Sequence, residues 1–225
     1  MADASGSSLP PSCGVVSSFD PRADGAAFIN VVILGAGGGP GTPVTDGWLT
    51  IACMGNAGMP FYDSIELDER HCPLIVHTRR LRPDSEGAGM FRGAPGAEIE
   101  YGPVDRAVEV GFACDGVVNP AQGVCGGGPG ALAEAYLRRA SGEPESMPGS
   151  SHLMVAEGEA LVSLTAGGGR YGSPLNRAPE HVAHDVAEGW ISPERARKVY
   201  GVEVTPEGAV DRETTERLRG RLAAA

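Results

Sequence analysis

Five side chains stand where strand-like runs meet glycine-dense loops, and their types suit acid–base, metal or anion chemistry: Asp46, Asn56, Glu66, Asp84 and Arg92. Asp46 precedes Gly47 just after the loop GAGGGPG at Gly35 to Gly41. Asn56 and Glu66 lie in the segment that follows, where Asp63, Asp68 and Glu69 also crowd ahead of Pro73. Asp84 leads into a second loop, EGAGMFRGAPG at Glu86 to Gly96, and Arg92 lies inside it. A carboxylate at a strand end serves as a base, a metal ligand or an orienting group, although Asp in that place also caps turns by accepting backbone N–H bonds. An arginine among glycines binds an anionic intermediate or clamps a carboxylate in bidentate fashion. The competing reading is that Asp84 and Arg92 merely tie their own loop together through a salt bridge and backbone bonds.

Other chemistries find no support. There is no Gly-x-Ser-x-Gly elbow and no histidine in a triad context, so a serine nucleophile is not expected. None of the glycine loops is followed by Lys-Ser/Thr, and GAGGGPG runs into Pro40 and Pro43 rather than opening a helix, so ATP binding by this chain is not expected. Lys198 is the sole lysine and lies in an exposed-looking helical run. The five cysteines include no C-x-x-C pair, which argues against a disulfide framework and a zinc ribbon alike. His71 and Cys72, read as neighbours on a strand, point to opposite faces, and His181 and His184 share a helix face with no third ligand nearby. No metal or cofactor is expected on the chain itself.

The elements that must position these residues follow from composition and breakers. With 34 glycines and 18 prolines punctuating apolar runs, the chain reads as loop-rich rather than disordered. The runs Phe28 to Leu34, Trp48 to Met54, Leu74 to Leu81, Val108 to Cys114 and Leu161 to Thr165 have strand length and composition. Between them lie four glycine loops, the two above plus GVCGGGPG at Gly123 to Gly130 and GGGRYG at Gly167 to Gly172; they suggest tight turns around a packed interface or pocket, or else plain hairpin and bulge chemistry. Helices are expected from Pro179 to Gly189, from Ser192 as N-cap through Val199, and from about Asp211 to Leu222. The expected fold class is therefore α+β: a flexible arm over residues 1–14, a mostly β body with glycine-rich loops over 15–175, and short C-terminal helices over 176–225.

A formal charge of −11 with scattered basic residues excludes nucleic acid as a partner. No run approaches the roughly 18 apolar residues of a membrane span. The start carries neither a basic region nor an apolar run ahead of Cys13, so no signal or transit peptide is expected and the cytoplasm is the expected compartment.

Longer strings carry a resemblance. LRPDSEGAGMFRGAPG at Leu81 to Gly96 resembles the signature loop of the B-type subunit of the hydantoinase B/oxoprolinase family. TAGGGRYGSPLNRAPEHVAHDVAEGWISPERARKVYGVEV at Thr165 to Val204 resembles that family's C-terminal signature. GAGGGPGTPVTDG and MGNAGMPFYDSIELDERHCPLIV resemble the segments preceding the first signature, in the family's order. Departures are Ala94 in place of a second glycine, Arg170 inside the final glycine run, Asp63 where glutamate is common and Ser173 where aspartate is common. Family members usually run to several hundred residues, so the resemblance covers only their C-terminal portion, and a separately encoded C-terminal piece is expected. It implies a non-autonomous subunit of a multi-subunit ATP-dependent enzyme that hydrolyses a cyclic amide such as hydantoin, oxoproline or a lactam. Alternatives are a subunit of an acetone/acetophenone-type ketone carboxylase, or a purely structural assembly subunit. Implied partners are an A-type ATPase-like subunit, a separately encoded N-terminal B-type subunit and a small-molecule substrate. ATP and a divalent metal are expected on those partner subunits.

Overall fold

The computed structural model describes residues 10–49 and 62–224. In chain order its elements are β1 (Val15–Asp20), β2 (Ala26–Val31), α1 (Ile65–His71), β3 (Leu74–Leu81), β4 (Ala97–Pro103), β5 (Val108–Ala113), β6 (Glu134–Arg138), β7 (Pro144–Ser146), β8 (Ser150–Val155) and β9 (Ala160–Leu164). The helical tail adds α2 (Pro179–Ala187), α3 (Pro193–Val199), β10 (Glu203–Val204), β11 (Val210–Asp211) and α4 (Arg212–Ala223). The α+β class expected from the sequence is the observed one.

Two antiparallel sheets, ordered β2-β1-β5-β8 and β3-β4-β9-β6-β7, share one core. Their inner positions alternate along each strand, as a half-buried pleat requires: Ile99 and Tyr101 on β4, Val108, Val110 and Phe112 on β5, and Ala135 and Leu137 on β6 are buried. The intervening positions on the larger sheet carry ion pairs, Arg80 with Glu98 and Arg138 with Glu100. A second core joins α2 and α3 to the signature loop through Val182, Ile191, Ala196, Tyr200, Val202 and Ala88.

The expected arm is not loose where the structure describes it. Pro10 to Cys13 are buried, with a short 3-10 turn at Pro11–Cys13. The Tyr101 hydroxyl donates to Pro11 O (2.8 Å), and the Ser12 hydroxyl donates to Gly35 O (2.7 Å). Serine and proline read as disorder-prone in isolation, but here the hydroxyl finds a buried partner and two prolines arrive with no N–H to satisfy. Trp48 and Leu49 belong to no strand, and residues 50–54 of that expected strand lie outside the described residues, as do Asn56 and Cys53.

The loop at 123–130 holds a tight turn, in which Gly127 N–H donates to Val124 O (3.1 Å) across Cys125 (φ 55°) and Gly126 (φ 85°), whereas the other three pack as a layer. Segments 35–41, 85–96 and 166–172 lie side by side and bond to one another instead of to a regular ladder, and 85–96 also folds back on itself through Gly93 N–H to Gly87 O (2.9 Å). Gly38 N–H donates to Ala166 O, Ala94 N–H to Gly39 O, Gly168 N–H to Ala94 O and Gly87 N–H to Gly168 O, all between 2.9 and 3.0 Å. The third loop, near 123–130, joins through Ala131 N–H to Ser85 O (2.9 Å) and Gly167 N–H to Ala131 O (3.1 Å). Packing this close leaves no space for side chains. A Cβ on Gly168 would stand 1.9 Å from Gly39 O and one on Gly167 1.7 Å from Ser85 O, both backbone atoms that cannot swing away.

Gly168→Ala should therefore abolish folding or lower stability by more than about 3 kcal/mol, an overpacking strain at the upper end of its usual range. Gly220→Ala, in α4 with open space where its Cβ would go, should raise stability by about 0.5–1 kcal/mol through helix propensity. Urea unfolding of the two variants checks both signs.

Candidate functional site

At one edge of the glycine layer four charged side chains and a tryptophan converge. Asp185 projects inward from α2 on the same buried face as Val182. Arg92 Nε donates to Asp185 Oδ1 (3.1 Å) and Arg177 Nε to Asp185 Oδ2 (3.1 Å). Arg177 also grips Asp46 in bidentate fashion, Nη1 to Oδ1 at 2.7 Å and Nη2 to Oδ2 at 2.8 Å. The Arg92 backbone N–H donates to the same Asp46 Oδ1 (2.9 Å), and its guanidinium lies over the Trp190 ring, 4.5 Å from the centroid. Arg92, Arg177 and Asp185 are buried, whereas the Asp46 side chain is 32% exposed, so Asp46 is the member open to solvent. Burial works against the charged Asp46 carboxylate, but the hydrogen bonds and charge of Arg177, with the charge of Arg92, outweigh it and hold its pKa below the usual aspartate value. This carboxylate stays ionised, which suits an orienting or charge-stabilising role more than that of a proton acceptor.

Of the five residues singled out from the sequence, Asp46 and Arg92 are therefore in direct contact. Asp84 sits next to them but does not pair with Arg92. It adopts φ +60° and its Oδ1 accepts from Ser192 N–H (2.6 Å) while its own N–H donates to Trp190 O (3.0 Å), tying the loop to the start of α3. Glu66 is elsewhere, in the exposed first turn of α1, where it hydrogen-bonds the N-cap Ser64. Asn56 lies outside the described residues. The partners that complete the cluster, Arg177 and Asp185, were not singled out from the sequence. The usable signal was Asp185 itself, a carboxylate three positions after Val182 on the apolar face of a short helix.

A second buried group was also missed. Glu86, in the signature loop, accepts from Arg195 Nε (2.6 Å) and from the Tyr200 hydroxyl (3.0 Å) through Oε1, and its Oε2 has no hydrogen-bond partner among the described residues. Burial raises its pKa, and Arg195 and Tyr200 pull it back only in part. Arg170 lies alongside. Its guanidinium fills the space above Gly128, where a Cβ would come within 2.6 Å of Nη2.

His71 ends α1 and Cys72 caps it, in place of the adjacent strand positions expected for the pair. Among the described residues no three His, Cys, Asp or Glu side chains converge as metal ligands, and no helix is long and apolar enough to cross a membrane.

The model of the hydantoinase B/oxoprolinase family matches residues 2–174. The chain belongs to this family. It is 31% identical over 210 residues to the beta subunit of the caprolactamase of Pseudomonas jessenii, covering 91% of this chain and 36% of that one. It is 31% identical over 159 residues to the B component of a putative D-/L-hydantoinase of Pseudomonas sp. (strain NS671), covering 69% of this chain and 26% of the relative. The crystal structure of the ATP-dependent caprolactamase from Pseudomonas jessenii superposes with a TM-score of 0.82 at 27% identity, over 97% of this chain and 38% of that chain. The chain thus spans well under half the length of these relatives. The match to the caprolactamase beta subunit extends past residue 174, into the helical tail that supplies Arg177 and Asp185.

Two outcomes check the electrostatics. Asp185→Asn leaves two buried guanidinium groups facing a neutral amide and should lower stability by about 3–5 kcal/mol, whereas Glu194→Gln, in the exposed Glu194–Lys198 pair of α3, should change it by less than about 0.5 kcal/mol; guanidinium chloride unfolding reads both. Asp68 on α1 is a different case. Burial and the nearby Asp63 push its pKa up to about 6, against a pull from Arg79. A folded-state pKa above the unfolded one means that stability present below about pH 4 is lost as pH rises through 6. Asp68→Asn should accordingly exceed the parent protein in thermal midpoint at pH 7 and match it at about pH 3.5.

Proposed function

We propose that this chain is a non-autonomous part of the B-type half of an ATP-dependent enzyme that opens a cyclic amide such as a lactam, hydantoin or oxoproline. The carrying observation is the alignment with the caprolactamase beta subunit over 91% of the chain. The coverage of only 36% of that relative supports the further reading that the rest of a B-type subunit and an A-type ATPase-like subunit complete the enzyme. ATP and a divalent metal then act on those partners. The role of this chain is to present the rigid rim of the glycine layer. The ionised Asp46, held by Arg177 and by the Arg92 backbone, faces the site where partner or substrate arrives, and the buried Arg92 and Asp185 fix its position. Glu66, in the exposed first turn of α1, is a second candidate contact with substrate.

The test is reconstitution with the A-type subunit and the remaining B-type portion encoded in the same genome. With ATP, magnesium or manganese, and caprolactam, hydantoin or oxoproline, the assembled enzyme should open at least one ring in an ATP-dependent manner, while the lone chain shows no turnover. Glu66→Gln should lower turnover by about tenfold or more, with assembly and thermal midpoint unchanged; unaltered turnover would remove Glu66 from the site. ATP-dependent fixation of bicarbonate onto acetone, with no ring opening, would replace the amidohydrolase reading by the carboxylase one.

A further inference from the structure

We propose that the outer face of the β2-β1-β5-β8 sheet is the surface on which the remainder of the B-type subunit docks. This inference rests on the functional reading above and names where the partner sits.

The inner face of this sheet is buried through Val16, Val108, Val110 and Val155. An antiparallel sheet with one face on the core ordinarily turns polar residues outward. Here many of the outward positions are apolar. The register places Ile29 of β2 opposite Ser17 of β1, Ser17 opposite Glu109 of β5, and Glu109 opposite Met154 of β8, while Val15 faces Val31 and Phe19 faces Ala27. Ile29 is 76% exposed, Met154 56% and Phe19 54%, with Val31 exposed beside them. Between them runs a groove of about 350 Å³ lined by Ser17, Phe19, Phe28, Glu109 and Met154. The Glu109 carboxylate at its middle is already engaged within the sheet, accepting from the Ser17 hydroxyl (3.1 Å) and standing 3.1 Å from His152 Nε2. Among the described residues β2 is also an edge strand, bonded to β1 alone, so its outer backbone groups can extend the sheet.

An exposed apolar strip, Phe19, Ile29 and Val31 on β1 and β2, next to an open edge marks an interaction surface rather than a water-facing one. The length comparison selects the occupant. In the caprolactamase structure the matched region accounts for only 38% of that chain, so most of that polypeptide lies outside the match, and its counterpart is the occupant assigned to this face. A partner with an apolar face fits the exposed Phe19, Ile29 and Val31, beside which Glu109 is already hydrogen-bonded within the sheet. The length comparison therefore selects the remainder of a B-type subunit, with a second copy as the alternative outcome of the test.

The experiment co-expresses the tagged chain with the remaining B-type portion and the A-type subunit from the same genome, then quantifies each polypeptide recovered by affinity and by native mass spectrometry. The double variant Ile29→Glu/Met154→Glu should lose the B-type portion by about tenfold or more while keeping the thermal midpoint of the parent chain. Val118→Glu, an equally exposed apolar position outside this sheet, should leave recovery unchanged. Full recovery with the double variant overturns the docking face but leaves the functional reading standing. Failure of the parent chain to bring down any B-type portion overturns both. A dimer of this chain that the double variant dissociates replaces the B-type portion by a second copy and overturns the assignment of the occupant.

Discussion

Backbone running directly against backbone, with no side chain between, is the constraint on which the rest of this molecule depends. Where Gly168 meets Gly39, and Gly167 meets Ser85, the carbonyl oxygens occupy the space that any Cβ would need. The segments are held by hydrogen bonds between non-ladder peptide groups, which satisfies the buried N–H and C=O groups without a regular sheet. One consequence is that the layer contributes almost no side chains of its own. Whatever chemistry it presents must be supplied from its rim, and the charged groups gather there.

The rim is held by electrostatics that are balanced within the protein. Arg92 and Arg177 bring two positive charges, Asp46 and Asp185 two negative ones, and three of the four are removed from water. A buried arrangement of this kind is weak as a source of net stability but severe towards wrong pairings, since any displaced member strands its partner. Its members come from the first glycine loop region, the signature loop and the helical tail, so it also fixes how those three parts meet. Trp190 completes the arrangement by covering the face of the Arg92 guanidinium.

Much of this was legible in the sequence and some was not, for identifiable reasons. β3 runs over Leu74–Leu81 as its opening Leu, Ile and Val indicate, and α3 begins after Ser192, whose hydroxyl accepts from Arg195 N–H as an N-cap should. Strands that alternate polar with apolar, such as β4 with Glu98, Ile99, Glu100 and Tyr101, escape a search for continuous apolar runs, though period-two patterning marks them. The acidic stretch before Pro73 reads as loose carboxylates, yet it is α1, capped by Ser64 with Glu66 and Asp68 in its first turn. Asp46 and Arg92 were visible as loop-edge residues. That Arg92 pairs with Asp185 was not, because the partner lies 93 positions away and local spacing carries no information about it.

The long reach of the glycine layer bears on how the chain acquires its structure. Gly38 and Gly39 bond or abut Ala166 and Gly168, and Asp46 waits for Arg177, 131 positions later, so the first loop cannot settle until most of the chain is available. Contacts so distant in sequence require large loops to close before any compensating interaction forms, which places such topologies at the slow end of folding rates. During synthesis, the earlier segments therefore emerge with their glycines unpaired and β2 unshielded. Assembly is tied to the emergence of the helical tail, whose two charged residues close the layer last.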